Sequence, residues 1–219
     1  MTLLDLLLFV VLPYAAVGQL LPALLMRRKP QGPLLYAVGS AELRADRATF
    51  WSRPAWVGAA ILFALHVAPF LFRSAWEALV AARLRLLIVE VVALTGGLLF
   101  LVGIAPLLRR RLRDARLSPL RTAMEIGTLA SLLAAGAAGV ITAVGERWGS
   151  AWYATVVGPY LWSLVRLAPD VAPLTTLGFW PRAHIVLAFV AMALVPFTTL
   201  PRQMSAPVRH LRALAGGAR

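Results

Sequence analysis

Five long apolar runs, separated by short polar segments, dominate the chain. Each run is close to the roughly 20 residues that an α-helix needs to cross the hydrocarbon core of a bilayer. The pattern therefore predicts an all-α integral membrane protein, with one membrane domain over residues 1–219 and a basic tail at 201–219. The predicted transmembrane helices are about 3–26, 55–72, 84–108, 122–144 and 181–200.

The composition supports a membrane protein. Of the 219 residues, 60% are apolar and 14% are charged, and the mean hydropathy is +0.78. Soluble domains are about half apolar and about a quarter charged, so this chain would expose too much hydrocarbon in water. The sequence has no cysteine, which excludes disulfides, thiolate metal sites, cysteine-ligated iron–sulfur clusters and covalently attached c-type haem in this chain.

The distribution of basic residues predicts the orientation of the spans. Of the 22 lysines and arginines, 16 fall after the first span, after the third span or in the tail. Cytoplasmic loops are enriched in these residues. We therefore expect the N-terminus outside and the C-terminus in the cytoplasm, in the cell inner membrane. The net charge of +13 does not indicate a nucleic-acid partner, because the basic residues cluster between apolar runs rather than along one amphipathic face.

The predicted outer connection from Gly145 to Trp180 contains the segment WGSAWYATVVGPYLWSLVRL. Its tryptophans and tyrosines suit a helix that lies in the membrane interface. A loop that carries an aromatic belt fits the same composition equally well.

Two histidines lie inside apolar runs. His66, in ILFALHVAPF, falls in the outer half of the second span, and His184, in PRAHIVLAFV, falls near the outer end of the fifth. A single buried histidine commonly bonds a neighbouring carbonyl, but polar groups in spans are costly and often functional. Two at the same depth favour a shared site. Neutral imidazoles are good axial ligands of haem iron, so the sequence predicts one bis-histidine haem b that transfers electrons.

Further residues near this depth extend the predicted site. Arg182 is placed to pair with a haem propionate, although a topogenic or lipid-facing arginine fits its position as well. Glycines in the third and fourth spans would let a haem approach the backbone, and ordinary small-residue helix packing explains them equally well. These glycines are Gly96, Gly97, Gly103 and those of the AAGAAG run at 134–139.

Several segments together resemble the gamma subunit, a b-type cytochrome, of respiratory nitrate reductases. They are LPY at Leu12 to Tyr14, ILFALH in the second span, TGGLLFLVGIAPLLRRRL in the third and PRAHIVLAFVAMALVPF in the fifth. The resemblance covers nearly the whole chain and implies five spans with the N-terminus outside. It also implies two stacked b haems held by four histidines, and it assigns His66 and His184 to the outer haem.

The chain departs from that family at the inner haem. The resemblance places the two inner ligands at Trp56 and Arg202, and neither side chain coordinates iron. His210 lies eight residues beyond Arg202 in the basic tail and is expected to be solvated. The sequence therefore predicts a divergent member of the family with a single haem.

The resemblance implies that the chain anchors a respiratory complex and exchanges electrons with quinone. The implied partners are an iron–sulfur subunit with a molybdopterin-type catalytic subunit, or a hydrogenase. An outer haem alone would more naturally serve a partner on the outside. Arg83 and Arg85 are candidate contacts for a quinol oxygen. Glu90 is a candidate proton acceptor, and a helix–helix hydrogen bond explains it as well.

Two other functions stay open at this point. A haem-free structural anchor would keep the fold without the cofactor, but it would not need a matched histidine pair. A small transporter would need broken helices or paired midplane charges, and Glu90 is the one clear mid-span charge in the sequence. No residues are arranged as a nucleophile, a general-base pair or a phosphate-binding loop, so no catalytic residue is assigned.

Overall fold

The computed structural model describes residues 2–25, 53–113, 119–146 and 148–198. In these ranges the chain forms seven helices: α1 (3–25), α2 (Arg53–Leu71), α3 (Arg73–Val80), α4 (Arg83–Arg113), α5 (Pro119–Gly145), α6 (149–165) and α7 (Phe179–Leu194). Short 3₁₀ turns follow at Ala172–Thr176 and Val195–Phe197.

Five of these helices, namely α1, α2, α4, α5 and α7, are long and apolar enough to cross a membrane. This confirms the five predicted spans, and only their ends differ. Helix α4 continues past the predicted end at 108 to Arg113, because arginine is a good helix former. Helix α7 ends at Leu194, earlier than predicted, and the chain continues as the 3₁₀ turn Val195–Phe197. Pro196 in this turn has no amide hydrogen and cannot extend the α-helical hydrogen bonds. The predicted first span ends at Met26, which lies outside the described residues.

The long helices pack in the series α2–α4–α5–α7–α1. Glycines bring the backbones of α2 and α4 together: a Cβ on Gly58 would lie 2.5 Å from the amide nitrogen of Phe100, and one on Gly103 would meet the backbone of Ala55. Helices in lipid associate mainly through van der Waals packing, which close backbone approach increases. These glycines therefore act as the contact surface between the two helices.

The remaining small residues of α4 also contact neighbouring helices. A Cβ on Gly96 would lie 2.7 Å from Ile61 of α2, and one on Gly97 would lie 2.8 Å from Val140 of α5. Of the two explanations given above for the α4 glycines, helix packing is the one that these contacts support.

A buried ion pair joins α4 to α5 at the predicted inner end of the bundle. Arg111 Nη2 lies 2.8 Å from Glu125 Oε2, and the two side chains are 8% and 0% exposed. Arg111 belongs to a run of arginines that the positive-inside rule counts only as topogenic. Its burial shows that one member of this run is also part of the packed structure.

Helix α6 covers the opposite end of the bundle, where residues 72–82 and 148–178 connect the long helices. We call this end the histidine end. Aromatic side chains fix α6 to α1, α2 and α3 through hydrogen bonds to backbone carbonyls. The bonds are Tyr14 Oη to Leu164 (3.0 Å), Trp76 Nε1 to Ser150 (2.7 Å), Tyr160 Oη to Phe9 (2.8 Å) and Trp162 Nε1 to Phe70 (2.9 Å). The aromatic segment is thus a helix rather than a loop, and its position in the membrane interface stays a prediction.

A Gly103→Ala substitution is expected to lower the free energy of unfolding by about 1–3 kcal/mol, the usual cost of overpacking. The added methyl group would meet the Ala55 backbone, which cannot rotate away. Gly18→Ala is the matched control, because a Cβ there has nothing within 4 Å, and it should stabilise by about 0.5–1 kcal/mol. Unfolding in mixed micelles, followed by circular dichroism, measures both, and equal effects would contradict the close α2–α4 contact.

Arg111→Leu is expected to destabilise the protein by about 3–5 kcal/mol, because it removes the buried ion-pair partner of Glu125. Arg109 lies two residues earlier on the exposed surface of α4, so Arg109→Leu removes the same charge and should change stability by less than about 0.5 kcal/mol. The same unfolding assay compares the two. If Arg109→Leu proved as damaging as Arg111→Leu, the buried pair would have no special role.

Candidate functional site

The two histidines of the apolar runs lie together at the histidine end. His66 of α2 and His184 of α7 have ring centroids 5.9 Å apart, with 35° between the ring planes. Helices α2 and α7 are not neighbours in the packing series, because α4 and α5 come between them. The two imidazoles therefore bridge helices that are otherwise separated. Their equal depth in the sequence predicted this proximity, and their role as ligands stays a prediction.

Both rings are oriented by the same kind of hydrogen bond. His66 Nδ1 lies 2.7 Å from the carbonyl oxygen of Leu62, and His184 Nδ1 lies 2.7 Å from that of Ala135. A carbonyl oxygen only accepts, so each Nδ1 carries the proton and donates it. In a neutral imidazole this leaves a lone pair on Nε2. No described residue hydrogen-bonds either Nε2, so the pair offers two nitrogen ligands to a metal ion.

Helix α5 binds and packs against the His184 ring. Ala135 supplies the carbonyl, and Gly139, one turn later, lies directly against the ring: a Cβ there would be 3.0 Å from both Cε1 and Nδ1 of His184. In the AAGAAG run at 134–139, Gly139 thus makes room for an imidazole, and the approach of a haem to this run stays a prediction.

Tyr153 of α6 covers the other histidine. Its ring meets the His66 ring edge to face, with centroids 5.6 Å apart, and its hydroxyl donates to the His66 carbonyl at 3.2 Å. Burial raises the pKa of Tyr153 to about 12, so the hydroxyl stays protonated as a donor. Tyr153 begins a π-helical segment, Tyr153–Val157, of a kind frequent at functional sites. The sequence analysis missed this contact, for which the only signal was the aromatic content of the segment.

Arg182 binds an acidic partner from the first span. Its Nη2 lies 2.6 Å from Asp5 Oδ1, and its guanidinium carbon lies 5.2 Å from the centroid of the Phe9 ring. The ion pair ties α1 to α7 two residues before His184. A guanidinium has five N–H donors, so this bond leaves others available, and the propionate contact stays a prediction.

The three residues proposed to contact quinone all lie near the start of α4, and two of them bond to different neighbouring helices. Glu90 Oε1 accepts a hydrogen bond from the Ser150 amide at 2.8 Å, which caps the start of α6. Arg85 Nη2 donates to the Ala78 carbonyl at 3.0 Å, and Arg83 is exposed at the start of α4. The structural explanation offered for Glu90, a hydrogen bond between helices, therefore describes its observed contact.

The predicted inner haem position shows no ligand set in the part of the chain that the structure describes. Trp56 lies near the start of α2, beside the buried Ala55. Arg202 and His210 lie outside the described residues. Within those residues no group of three or more His, Cys, Asp or Glu side chains is placed to hold a metal ion. A metal at the His66–His184 pair would therefore need further ligands from a cofactor such as a porphyrin.

Comparisons with known proteins agree with these features. The family model of the nitrate reductase gamma subunit matches residues 5–215, which include all five membrane-crossing helices and both site histidines. Over 121 residues the chain is 31% identical to the nitrate reductase gamma chain of Bacillus subtilis (strain 168); the match covers 54% of this chain and 53% of that relative. The chain thus matches about half the length of this curated relative. On the family match, the chain belongs to the nitrate reductase gamma subunit family.

Proposed function

We propose that this chain is the b-type cytochrome and membrane anchor of a nitrate reductase-like respiratory complex. In this proposal a single haem b is held between His66 and His184. By holding this haem, the chain would pass electrons between the quinone pool and an iron–sulfur subunit. The observation that carries the proposal is the pair of imidazoles. Each is oriented by a hydrogen bond from Nδ1 to a backbone carbonyl, and their ring centroids are 5.9 Å apart.

The spacing of the two rings suits a shared iron. Metal–imidazole nitrogen bonds are about 2 Å long, and a ring centroid lies about 1 Å beyond its nitrogen. Two imidazoles that bind one metal ion would therefore have centroids within roughly 6 Å of each other, and the observed distance is 5.9 Å. The chemistry of the donors also fits, because both Nε2 lone pairs are available.

A haem held by His66 and His184 would supply a one-electron carrier and would leave no position for oxygen or substrate. The residues of this chain hold and orient it. The carbonyls of Leu62 and Ala135 fix the ring orientations and raise the basicity of both ligands. Arg182 lies two residues before His184 on α7 and has N–H groups beyond the one bonded to Asp5, and it is the proposed partner of a propionate.

The packing of the inner end supports a single haem. Ala55, Phe100, Ile104 and Leu129 form a buried apolar cluster there, and Val195, just after α7, packs against it. Side chains from α2, α4, α5 and the segment just after α7 thus pack against one another at this end.

Family membership also guides the proposed partners and location. A nitrate reductase gamma subunit is expected to associate with an iron–sulfur subunit and a molybdopterin-type catalytic subunit, and family membership favours these over a hydrogenase. We propose the inner membrane, with the N-terminus outside and the C-terminus in the cytoplasm, on the basis of the basic residues. Arg83, Arg85 and Glu90, near the start of α4, are retained as the proposed quinone contacts.

The haem count tests this proposal directly. We expect one b-type haem per polypeptide in the reduced-minus-oxidised optical spectrum of the purified complex. We expect the signal to be lost in both His66→Ala and His184→Ala, because each removes one axial ligand. His210→Ala is the matched control and should keep the full signal.

The alternatives give different results in the same measurement. Two haems per polypeptide would contradict the proposed single haem and indicate a ligand other than Trp56 or Arg202. The absence of haem from a correctly assembled complex would support the alternative function of a haem-free anchor. In that case the two Nδ1–carbonyl bonds would be purely structural.

Gly139→Ala is expected to disturb the same site without removing a ligand. The methyl group would lie 3.0 Å from the His184 ring, which must then shift against its bond to Ala135. We expect a shifted haem spectrum or a reduced haem content. Gly127→Ala is the control on the same helix, because a Cβ there would make only an ordinary 3.6 Å contact with Leu194. An unchanged spectrum in both variants would contradict the role given to Gly139.

A further inference from the structure

The two imidazoles of the proposed haem site are held in different ways. His184 is held from another helix: its Nδ1 bonds to the Ala135 carbonyl of α5, and a Cβ on Gly139 of α5 would lie 3.0 Å from its ring. His66 Nδ1 bonds to the Leu62 carbonyl, one turn earlier on its own helix α2. A bond within one helix fixes the tautomer of the ring, but it does not fix the ring relative to the other helices of the bundle.

Tyr153 contacts His66 from another helix, α6. The two rings meet edge to face, with a centroid distance of 5.6 Å and an angle of 82°, and the Tyr153 hydroxyl donates to the His66 carbonyl at 3.2 Å. One side chain thus contacts both the ring and the backbone of the same histidine. The apolar groups around a metal site control its access to solvent and its reduction potential, so a ring in this position affects more than packing.

The position of Tyr153 depends on Ser150, three residues earlier on α6. The Ser150 amide donates to Glu90 Oε1 of α4 at 2.8 Å, and the Ser150 carbonyl accepts from Trp76 Nε1 of α3 at 2.7 Å. Side chains of two other helices therefore bind both polar backbone groups of Ser150. These two bonds fix the start of α6 just before its π-helical segment begins at Tyr153.

We propose that Tyr153 is a positioning residue that orients and shields His66, and that Glu90 acts through it by holding Ser150 at the start of α6. This inference rests on the proposed haem function, in which His66 is an axial ligand. The contacts run in one series from Glu90 through Ser150 and Tyr153 to His66. They give Glu90 a role in the haem site that is separate from the proposed quinone contact.

The direction of the effect on the haem follows from charge. Water stabilises the additional positive charge of an oxidised haem better than an apolar neighbour does. Shielding of His66 by the Tyr153 ring therefore favours the reduced state and raises the reduction potential. Removal of the ring is expected to lower that potential.

The test is a potentiometric titration of the haem spectrum in the purified complex, with the haem content measured on the same samples. For Tyr153→Ala we expect the ratio of reduced to oxidised haem at a fixed potential to fall about tenfold, a downward shift of about 59 mV for a one-electron couple. Tyr153→Phe keeps the ring and should keep most of the wild-type potential. Thr155→Ala is the matched control and should change nothing, since Thr155 lies exposed on the same helix and its hydroxyl bonds to Trp152 of that helix.

The orientation of the His66 ring provides a second readout. The two imidazole planes are 35° apart, and the electron paramagnetic resonance spectrum of an oxidised bis-histidine haem depends on this angle. Tyr153→Ala should therefore change the spectrum, and Tyr153→Phe should change it less. A loss of stability alone would leave the spectrum of the folded protein as it is.

A double-mutant cycle tests the role of Glu90. Glu90→Ala should lower the potential in the wild-type background and add no further change in Tyr153→Ala, because residues that act through one contact are not additive. Glu90→Gln removes the same charge but keeps an acceptor oxygen for the Ser150 amide, so its potential should stay closer to that of the wild type. Equal shifts in Glu90→Ala and Glu90→Gln would indicate an effect of charge alone and would overturn the role given to Glu90.

The outcomes separate this inference from the haem proposal itself. A wild-type complex without haem would contradict the proposed function. A full haem content with unchanged potential and resonance spectrum in Tyr153→Ala would overturn the positioning role and leave the haem proposal standing. If Tyr153→Ala does not assemble, Tyr153→Leu, which fills part of the same volume without an aromatic edge, takes its place, and an unchanged potential and spectrum there would overturn the inference equally.

Discussion

The structure depends on one constraint: inside a bilayer a polar group has no water to bond and must find its partner within the protein. The two site histidines meet this constraint by donating Nδ1 protons to the carbonyls of Leu62 and Ala135. The same bonds fix the tautomer of each ring. The lack of water in the bilayer therefore accounts for the orientation of both imidazoles and leaves the lone pair of each ring on Nε2.

Helix α6 follows from the same constraint. Pro13 has no amide hydrogen, so it cannot donate to the Phe9 carbonyl one turn earlier, and the Tyr160 hydroxyl donates to that oxygen at 2.8 Å. Trp162 likewise donates to the Phe70 carbonyl near the end of α2. The aromatic residues of α6 thus satisfy backbone acceptors of two spans. The same hydrogen bonds hold α6 in the position that places Tyr153 against His66. They therefore determine both the position of α6 and the shape of the histidine site.

The features readable from the sequence are those that depend on local pattern. Long apolar runs specify the spans, and the depth of a residue within its span places His66 beside His184. The features that could not be read depend on which faces meet. Arg111 is buried while Arg109 is exposed, a difference set by helical phase against α5. Arg182 and Asp5 pair across 177 positions, which no spacing rule links.

The two ends of the bundle differ in what their packing allows. At the histidine end, the imidazoles of His66 and His184 meet between two helices that are not neighbours in the packing series. At the other end, Phe100, Ile104 and Leu129 fill the centre, and close glycine contacts join α2 to α4. Close-packed protein interiors take up a large group only by rearranging. Under the proposed function, a carrier confined to the histidine end passes electrons most directly to a partner on that side, since electron transfer weakens steeply with distance. On this proposal the iron–sulfur subunit would dock at the histidine end, and the basic residues of the opposite end would serve topology and packing, as Arg111 does.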